Sequence, residues 1–268
     1  MDLPACSVVH PAMRIATYNV NGINGRLPVL LDWLRATQPD VACLQELKAP
    51  DDKFPREAIE GSGYRAIWHG QQRWNGVAIL ARNGDPVETR RGLPGDPDDS
   101  QSRYIEAAIN GVIVGCLYLP NGNPRPGPRF DYKMRWIERF EARAAELLNL
   151  DAPVVLAGDY NIIPTDADVY APERWRDDAL FAPEARAAYA RIVDMGWADA
   201  LRHLHPNETI YTFWKYWRGA FERDAGLRID HLLLNGPAAE RLVQAGVDRS
   251  TRALEKSSDH APAWIELA

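Results

Sequence analysis

Short apolar runs that end in polar residues recur along this sequence. Four of these runs are typical of β-strands, and they end in Asn, Glu or Tyr: Ile15–Asn21, Val41–Glu46, Val112–Tyr118 and Val154–Asn161. A fifth run, Ala263–Ile265, is preceded by the adjacent pair Asp259 and His260. Strands that are buried on both faces read as near-continuous apolar runs. The pattern therefore predicts a buried sheet with one polar site at its rim.

Helical segments alternate with these strands. The leucines between Leu27 and Leu34 keep helical spacing, and the helix should end before Pro39, because the residue before proline disfavours the helical conformation. A longer helix is predicted over 130–150, and Pro183 suits the first turn of another. Three further runs have no helices of their own, which indicates antiparallel hairpins and hence mixed sheets: Tyr64–Trp68, Gly76–Ala81 and Tyr104–Ile109.

The composition fits a protein with a large core. The chain has 268 residues, of which 46% are hydrophobic, but no run approaches the roughly 18 to 20 apolar residues that span a bilayer. We therefore expect no membrane contact. Cys43 and Cys116 lie in strand-like runs without metal-binding spacing, which favours a reducing cytoplasm. We expect a disordered tail over 1–12, a single domain over 13–268, and a monomer.

The net charge of −6 does not exclude a nucleic-acid partner, since binding depends on where the charges lie. Basic residues gather in segments that read as loops: Arg65, Arg73, Arg90, Arg91, Arg103, Arg125, Arg129 and Lys133. A solvated mixed surface explains any single one of them equally well.

Asp159 and Asn161 stand two residues apart where an apolar strand ends, so both side chains share one face if the strand continues. Asn19 and Asn21 repeat this arrangement. An Asx turn that closes the strand is an equally good interpretation of the isolated segment.

Glu46 should emerge at the sheet rim, where Glu46 and Asp259 together suffice for a cation such as Mg²⁺, which needs only one or two protein carboxylates beside a phosphate. A plain surface glutamate is the alternative for Glu46 alone. Next to Asp259, His260 has Asp230 as a candidate carboxylate partner that would keep the imidazole protonated for a phosphate oxygen. His231 points away from Asp230 in a strand, and we interpret it as structural.

The sequence has no glycine-rich phosphate loop, no GxSxG elbow and no HExxH motif. P-loop hydrolysis, serine esterase and zinc peptidase chemistry thereby lose their usual sequence support. Metal-assisted attack of water on a phosphodiester remains.

The sequence resembles the exonuclease III type of apurinic/apyrimidinic endonucleases, within the endonuclease, exonuclease and phosphatase superfamily. The resemblance extends from Arg14 to Leu267 and rests on seven motifs: Tyr18–Ile23, Leu44–Lys48, Arg91–Asp96, Leu117–Gly122, Gly158–Asp166, Gly226–Asp230 and Ser258–Pro262. It implies an α/β (α+β) fold of the DNase I-like four-layer type, in which two mixed β-sheets form a sandwich flanked by helices.

The resemblance also implies a role for each matching residue. The metal, Mg²⁺ with Mn²⁺ as a possible substitute, would be held by Glu46, with Asp259 and Asn21 nearby. Asp159 would position or deprotonate the attacking water. The phosphate would be held by Asn19, Asn161, Tyr118 and the His260–Asp230 pair.

Four residues are implied as the pocket for a flipped abasic sugar: Phe213, Trp214, Leu227 and Ile229. A small apolar pocket admits such a sugar and excludes an intact nucleotide. Leu227 departs from some family members, which carry a large aromatic residue at this position. Arg103 is expected to contact the substrate beside this pocket.

The function that the resemblance implies is a Mg²⁺-dependent DNA repair nuclease of base excision repair. It would cut double-stranded DNA 5′ to abasic sites, trim strands as a 3′–5′ exonuclease and clean damaged 3′ ends as a phosphatase or phosphodiesterase. Two alternatives stay open: a phosphohydrolase of the same fold for inositol phosphates or phospholipids, and a catalytically silent DNA-binding protein. The segment Tyr211–Trp217 followed by Gly226–Asp230 favours DNA, and the absence of an amphipathic membrane-binding segment disfavours lipid.

Overall fold

The computed structural model describes residues 12–268, so all but the last residue of the expected tail lies outside the described residues. The strands are β1 (Met13–Asn19), β2 (Val41–Gln45), β3 (Arg65–His69), β4 (Val77–Ala81), β5 (Val87–Arg91), β6 (Tyr104–Ile109), β7 (Val112–Tyr118), β8 (Val154–Asp159), β9 (Ala198–Asp199), β10 (Asp230–Leu234), β11 (Leu242–Val247) and β12 (Ala263–Leu267). The α-helices are α1 (Ile23–Thr37), α2 (Arg56–Gly61), α3 (Pro128–Leu148), α4 (Pro183–Asp194), α5 (Ala200–Leu204), α6 (Gly236–Ala239) and α7 (Arg249–Arg252).

The strands form two six-stranded sheets with the orders β11-β12-β1-β2-β4-β3 and β5-β6-β7-β8-β10-β9. Each sheet is mixed: β1 and β2 run parallel in the first, β7 and β8 run parallel in the second, and the other pairs are antiparallel. The predicted hairpin strands pair as β3 with β4 and β6 with β7. The two mixed sheets expected from the sequence are therefore present.

The sheets face each other across an apolar layer, and helices cover both outer faces. In β1, Ile15 packs into the layer between the sheets, whereas Tyr18 packs toward α1 with Leu30 and Leu34. Helices α3 and α4 cover the second sheet through a separate cluster that includes Trp136. Both faces of the central strands are buried, which explains why their sequences read as continuous apolar runs.

Helix boundaries follow the sequence signals closely. Helix α1 ends at Thr37, and Gln38 takes the left-handed conformation (φ 46°) before Pro39. Helix α3 begins with Pro128 in its first turn, where the missing N–H has no consequence. No helix of residues 12–268 is long and apolar enough to cross a membrane.

The prediction that the basic residues occupy loops is wrong for several of them. Arg65 lies in β3, Arg90 and Arg91 lie in β5, and Arg129 and Lys133 lie in α3. Strands β3 and β5 end their sheets and leave Arg65 and Arg91 exposed, so these edge strands accommodate charged side chains. Lys133 is instead completely buried.

Candidate active site

The polar strand ends converge at one end of the layer between the two sheets. Asn19, Tyr118 and Asp159 follow apolar members of this layer by even numbers of residues, and Asp230 precedes Leu232 by two, so all four share strand faces with the layer. Glu46 follows β2 with a positive φ of 53°, and this turn brings its carboxylate to the same place. The predicted rim site therefore lies between two sheets.

Hydrogen bonds join these side chains across the two sheets. Asn19 Nδ2 donates to Glu46 Oε1 and to Asp159 Oδ2, each at 2.9 Å. The Tyr118 hydroxyl donates to Glu46 Oε1 at 2.9 Å. Asn19 and Glu46 come from the first sheet and Tyr118 and Asp159 from the second, so the site requires both sheets.

The ends of β1 and β8 are both closed by Asx turns. Asn19 Oδ1 accepts the backbone N–H of Asn21, and Asp159 Oδ1 accepts that of Asn161, each at 2.9 Å. Asn21 and Asn161 have φ values of 48° and 47°. Because β8 ends at Asp159, the strand does not continue through Asn161, and of the two interpretations of this segment the Asx turn is the one present. The turn itself orients the Asp159 carboxylate.

Asn161 is fixed by two further bonds. Its Nδ2 donates to the Leu119 carbonyl at 2.9 Å, and its Oδ1 accepts from Asn121 Nδ2 at 3.1 Å. Asn121 lies in the Leu117–Gly122 motif, but the sequence analysis gave it no role. Its contact with Asn161 is visible only in the folded chain.

His260 is paired with Asp230, as predicted, with 2.8 Å between His260 Nδ1 and Asp230 Oδ2. Burial would lower the pKa of His260, but the carboxylates of Asp230, Asp159 and Asp259 raise it to about 10. The imidazole is therefore protonated at neutral pH. Its Nε2 lies 3.8 Å from Asp159 Oδ2, so its N–H is available to an anion beside Asp159.

The pKa values of Asp159 and Tyr118 are both raised above their usual values. Burial raises the pKa of Asp159, His260 opposes the rise, and the negative charges of Asp230 and Glu46 add to it. Burial and the nearby carboxylates raise the pKa of Tyr118 far above its usual value, so the phenol stays a hydrogen-bond donor. A carboxyl whose pKa approaches neutrality is suited to accept a proton.

A second group of oxygens lies beside this network. Asn21 Nδ2 donates to Asp259 Oδ1 at 2.9 Å. The Lys48 ammonium lies 2.8 Å from Glu46 Oε2 and also donates to Asn21 Oδ1. Burial would raise the pKa of Glu46, but Lys48 and Asn19 hold it below its usual value. A cation is thus already stabilised between the oxygens of two predicted metal ligands, and an all-oxygen donor set fits a hard divalent ion.

A different trio could also hold a metal by distance alone. One ligand atom each from Asp159, Asp230 and His260 lies within 4.8 Å of the others. Two of its members, His260 Nδ1 and Asp230 Oδ2, already pair with each other at 2.8 Å, and a hard cation such as Mg²⁺ takes oxygen ligands. The donor chemistry therefore favours the oxygens around Glu46.

The predicted pocket residues do not all come together. Phe213, Leu227 and Ile229 share one apolar cluster, and the Phe213 ring centroid lies 4.9 Å from that of His260. Trp214 lies in a separate cluster, and its indole N–H donates to Asp224 at 3.0 Å. Phe213 forms backbone bridges with Leu227 and His260, whereas Trp214, the next residue, packs in the other cluster. The structure therefore does not support a place for Trp214 in the pocket.

A cavity of about 100 Å³ adjoins Phe213 and Leu227. Tyr170 and Trp175 also line the cavity, and the ammonium of Lys215, another lining residue, lies 4.4 Å from the Trp175 ring centroid. Tyr170 and Trp175 were not predicted from the sequence, since they belong to a segment without a clear periodic pattern.

Arg103 lies against Tyr118. Its guanidinium is 4.8 Å from the Tyr118 ring centroid and donates to the Tyr118 carbonyl at 3.1 Å.

Lys48 was also not predicted as a site residue, although a lysine two residues after Glu46 is a sequence signal for a charge partner of that carboxylate. His231 is buried with Nε2 3.0 Å from the Ile162 carbonyl oxygen, which fits the predicted structural role.

These features define a site rich in carboxylates and fixed hydrogen-bond donors on a two-sheet sandwich. A model of the endonuclease/exonuclease/phosphatase family matches residues 16–260. The chain belongs to this family, and the predicted family is confirmed.

Known relatives match almost the full chain. Exodeoxyribonuclease III of Haemophilus influenzae is 37% identical over 271 residues, which cover 95% of this chain and 100% of the relative. The AP endonuclease of Archaeoglobus fulgidus is similar in structure, with a TM-score of 0.91 and 37% identity over 94% of this chain and 98% of that one. A 3′ phosphatase from Neisseria, solved with a product DNA hairpin, has a TM-score of 0.92 and 40% identity over 96% of this chain and 99% of that one. The expected DNase I-like fold is confirmed by this likeness.

Proposed function

We propose that this chain is a Mg²⁺-dependent DNA repair nuclease of the exonuclease III type. It hydrolyses phosphodiesters 5′ to abasic sites, and it also trims and cleans 3′ ends. The observation that carries the proposal is the placement of Asp159, with its raised pKa, beside the protonated His260 and the Tyr118 phenol. Relatives named for exonuclease, AP endonuclease and 3′ phosphatase activity support it.

Each side chain has a defined part in this reaction. Asp159 orients the attacking water and accepts its proton, while Asn19 fixes the Asp159 carboxylate. His260 and Tyr118 donate to the non-bridging phosphate oxygens, and Asn161 holds the phosphate from the other side. His260 is held in place by Asp230 before the substrate binds, whereas Tyr118 would exchange its bond to Glu46 for one to the phosphate. Donors aimed at the phosphate stabilise the charge that develops in the transition state.

The cation is assigned to Glu46, Asp259 and Asn21. A Mg²⁺ ion held by these residues would supply charge neutralisation at the phosphate and at the leaving oxygen. Mn²⁺ prefers the same oxygen ligands and is a suitable substitute. Lys48 would release its contacts with Glu46 and Asn21 as the ion enters.

DNA is the proposed substrate because the site is bordered by features that suit it. Trp217 is 60% exposed and follows Tyr216, whose hydroxyl lies 3.3 Å from Asn21 Nδ2. Trp74 is 71% exposed, and the next residue, Asn75, accepts from the Lys48 backbone N–H. Exposed aromatic rings offer stacking surfaces for bases, and the small cavity beside Phe213 suits a sugar without its base.

Three organisational features belong to the same proposal. Residues 13–268 form a single catalytic domain, the enzyme acts as a monomer, and it works in the cytoplasm. The two buried thiols of Cys43 and Cys116 suit a reducing compartment. Sedimentation of the purified protein at micromolar concentration tests the monomer.

The testing experiment uses three labelled duplexes with Mg²⁺ or with EDTA: one with an internal abasic site, one intact with a recessed 3′ end, and one with a 3′ phosphate. Metal-dependent cleavage of the abasic duplex, with slower action on the other two, is expected. Failure on all three would reject the proposal and direct attention to inositol phosphates and phospholipids. Tight DNA binding without cleavage would instead indicate a silent DNA-binding protein.

A further inference from the structure

Lys133 is a buried cation for which the proposed reaction has no use. It lies in α3, its exposed fraction is 0%, and it forms no salt bridge with a carboxylate within the described part of the chain. Buried lysines without an ionic partner are unusual, because burial penalises their charge. Such exceptions concentrate at functional sites.

The ammonium instead bonds two backbone carbonyls beneath the active site. Lys133 Nζ donates to the Asn161 carbonyl at 2.6 Å and to the Asn121 carbonyl at 3.1 Å. These residues follow the ends of β8 and β7. Their side chains also bond each other at 3.1 Å, so Lys133 closes a ring that joins the two loops.

This ring reaches the proposed general base through one further bond. The backbone N–H of Asn161 donates to Asp159 Oδ1 at 2.9 Å, and Asn161 itself has a positive φ of 47°. That conformation is sparsely populated for a residue other than glycine. The bond from Lys133 fixes the carbonyl of Asn161, and the bond to Asp159 fixes its N–H, so the two peptides that meet at the Asn161 α-carbon are both restrained. Lys133 thereby helps to hold the turn that orients the Asp159 carboxylate.

The neighbouring loop leaves space for the Lys133 side chain at Gly122. Gly122 has a φ of +90°, and a Cβ at this position would lie 2.6 Å from Lys133 Cδ. Only glycine leaves room for the aliphatic stem at this turn. The fold thus provides both a passage for Lys133 and acceptors for its ammonium.

We propose that Lys133 is a positioning residue for hydrolysis, which holds the Asn121 and Asn161 loops so that Asp159 faces the attacking water. The inference rests on the nuclease function proposed above. Lys133 does not touch the substrate in this role. Its loss should therefore slow the chemical step without weakening DNA binding.

The experiment compares wild type, Lys133→Met, Lys133→Arg and the exposed control Lys53→Met on the abasic duplex. Lys133→Met is expected to lower kcat about 10- to 100-fold, the range for residues that orient others, with KM within about threefold and a native circular dichroism spectrum. Lys133→Arg keeps donors for both carbonyls and should restore kcat to within about fivefold of wild type. Lys53→Met should match wild type.

A pH series separates positioning by the ammonium from simple packing. Burial lowers the pKa of Lys133 to about 7, against the opposing charges of Asp178 and Asp159. Because charge-assisted hydrogen bonds are roughly twice as strong as neutral ones, the kcat ratio of wild type to Lys133→Met should be larger at pH 6 than at pH 9. A packing role gives the same ratio at both values, and that result would overturn the proposal.

The remaining outcomes are also decisive. If wild type cuts and Lys133→Met keeps kcat within twofold, the positioning role is wrong while the nuclease stands. If wild type cuts none of the duplexes, both fail together. If Lys133→Met does not fold, Lys133→Arg decides: near-native kcat supports the role, and a folded but slow enzyme refutes it.

Discussion

At the scale of single residues, the site contains two buried carboxyl groups whose surroundings shift their pKa values in opposite directions. Asp159 is buried among negative charges, which raises its pKa, whereas Glu46 is buried beside Lys48, which lowers its pKa. These two carboxylates accept hydrogen bonds from the same amide nitrogen, Asn19 Nδ2, and we assign Asp159 to proton transfer and Glu46 to cation binding. Enzymes commonly give two carboxyl groups of one site different pKa values through their surroundings, so that the two groups can serve different functions.

Replacing Asp159 by Asn is expected to lower kcat for abasic cleavage by at least about 100-fold, because the amide cannot accept the proton of water. The Asx turn survives through the amide oxygen, so the dissociation constant for uncut abasic DNA should stay within about threefold. Single-turnover cleavage and fluorescence anisotropy measure the two quantities. The exposed Asp151→Asn is the control, and cleavage by Asp159→Asn near the wild-type rate would refute the assignment.

Replacing Glu46 by Ala should raise the Mg²⁺ concentration for half-maximal activity about tenfold or more, since the site loses its main carboxylate. The measurement is a Mg²⁺ titration of cleavage rate, with exposed Glu57→Ala as the matched control. An unchanged titration would remove Glu46 from the metal ligands.

At the scale of elements, the segment that leads into β10 serves two functions on its two sides. Leu227 and Ile229 pack into the cluster beside the cavity, while Arg228, between them, is buried on the other side with Asp168 and Asp199. Alternation along an extended segment explains this division. The pocket wall is therefore anchored from behind by an ionic network.

Replacing Leu227 by Trp should raise the ratio of abasic cutting to 3′ trimming about tenfold, because the indole fills space beside Phe213 that an intact nucleotide needs. The two rates are compared on the abasic and recessed duplexes. Leu254→Trp, at a site 50% exposed, controls for the added ring. An unaltered ratio would show that Leu227 does not line the selecting pocket.

At the scale of the whole molecule, Arg228 connects segments that are distant in sequence. Its guanidinium lies 2.7 Å from carboxylate oxygens of both Asp168 and Asp199, and it is 1% exposed. Burial would raise the pKa of both carboxyls, but Arg228 lowers each below its usual value. Stability from these groups is therefore present at neutral pH and is lost as pH falls below the usual carboxyl range.

Replacing Arg228 by Met should lower the free energy of unfolding at pH 7 by about 3–5 kcal/mol, because buried Asp199 loses its ion-pair partner and buried Asp168 keeps only Arg202. The deficit should shrink below about pH 4, where those carboxylates bind protons in the unfolded chain and in the variant. Urea unfolding at both pH values measures it, with exposed Arg35→Met expected to change stability by less than about 0.5 kcal/mol. A deficit that is independent of pH would mean that packing, and not charge, is what Arg228 contributes.

The sequence by itself determined the strands, the principal helices and the types of residue at the site. Apolar runs identify strands buried on both faces, and Asn19, Glu46, Asp159 and His260 stand where those runs end or begin. Hydrophobic period and proline positions are local properties, so they can be read without the fold. The family motifs, also local, gave the fold class.

The tertiary structure alone decided how those residues meet. The turn at Glu46, the separation of Trp214 from Phe213, and the burial of Lys133 under Asn161 all depend on contacts between segments far apart in the chain. Lys133 was predicted to be an exposed residue of a loop, because a charged side chain is usually exposed and the sequence shows no hydrogen-bond partner for it. Its acceptors are backbone carbonyls, which every residue carries and which no sequence pattern can single out.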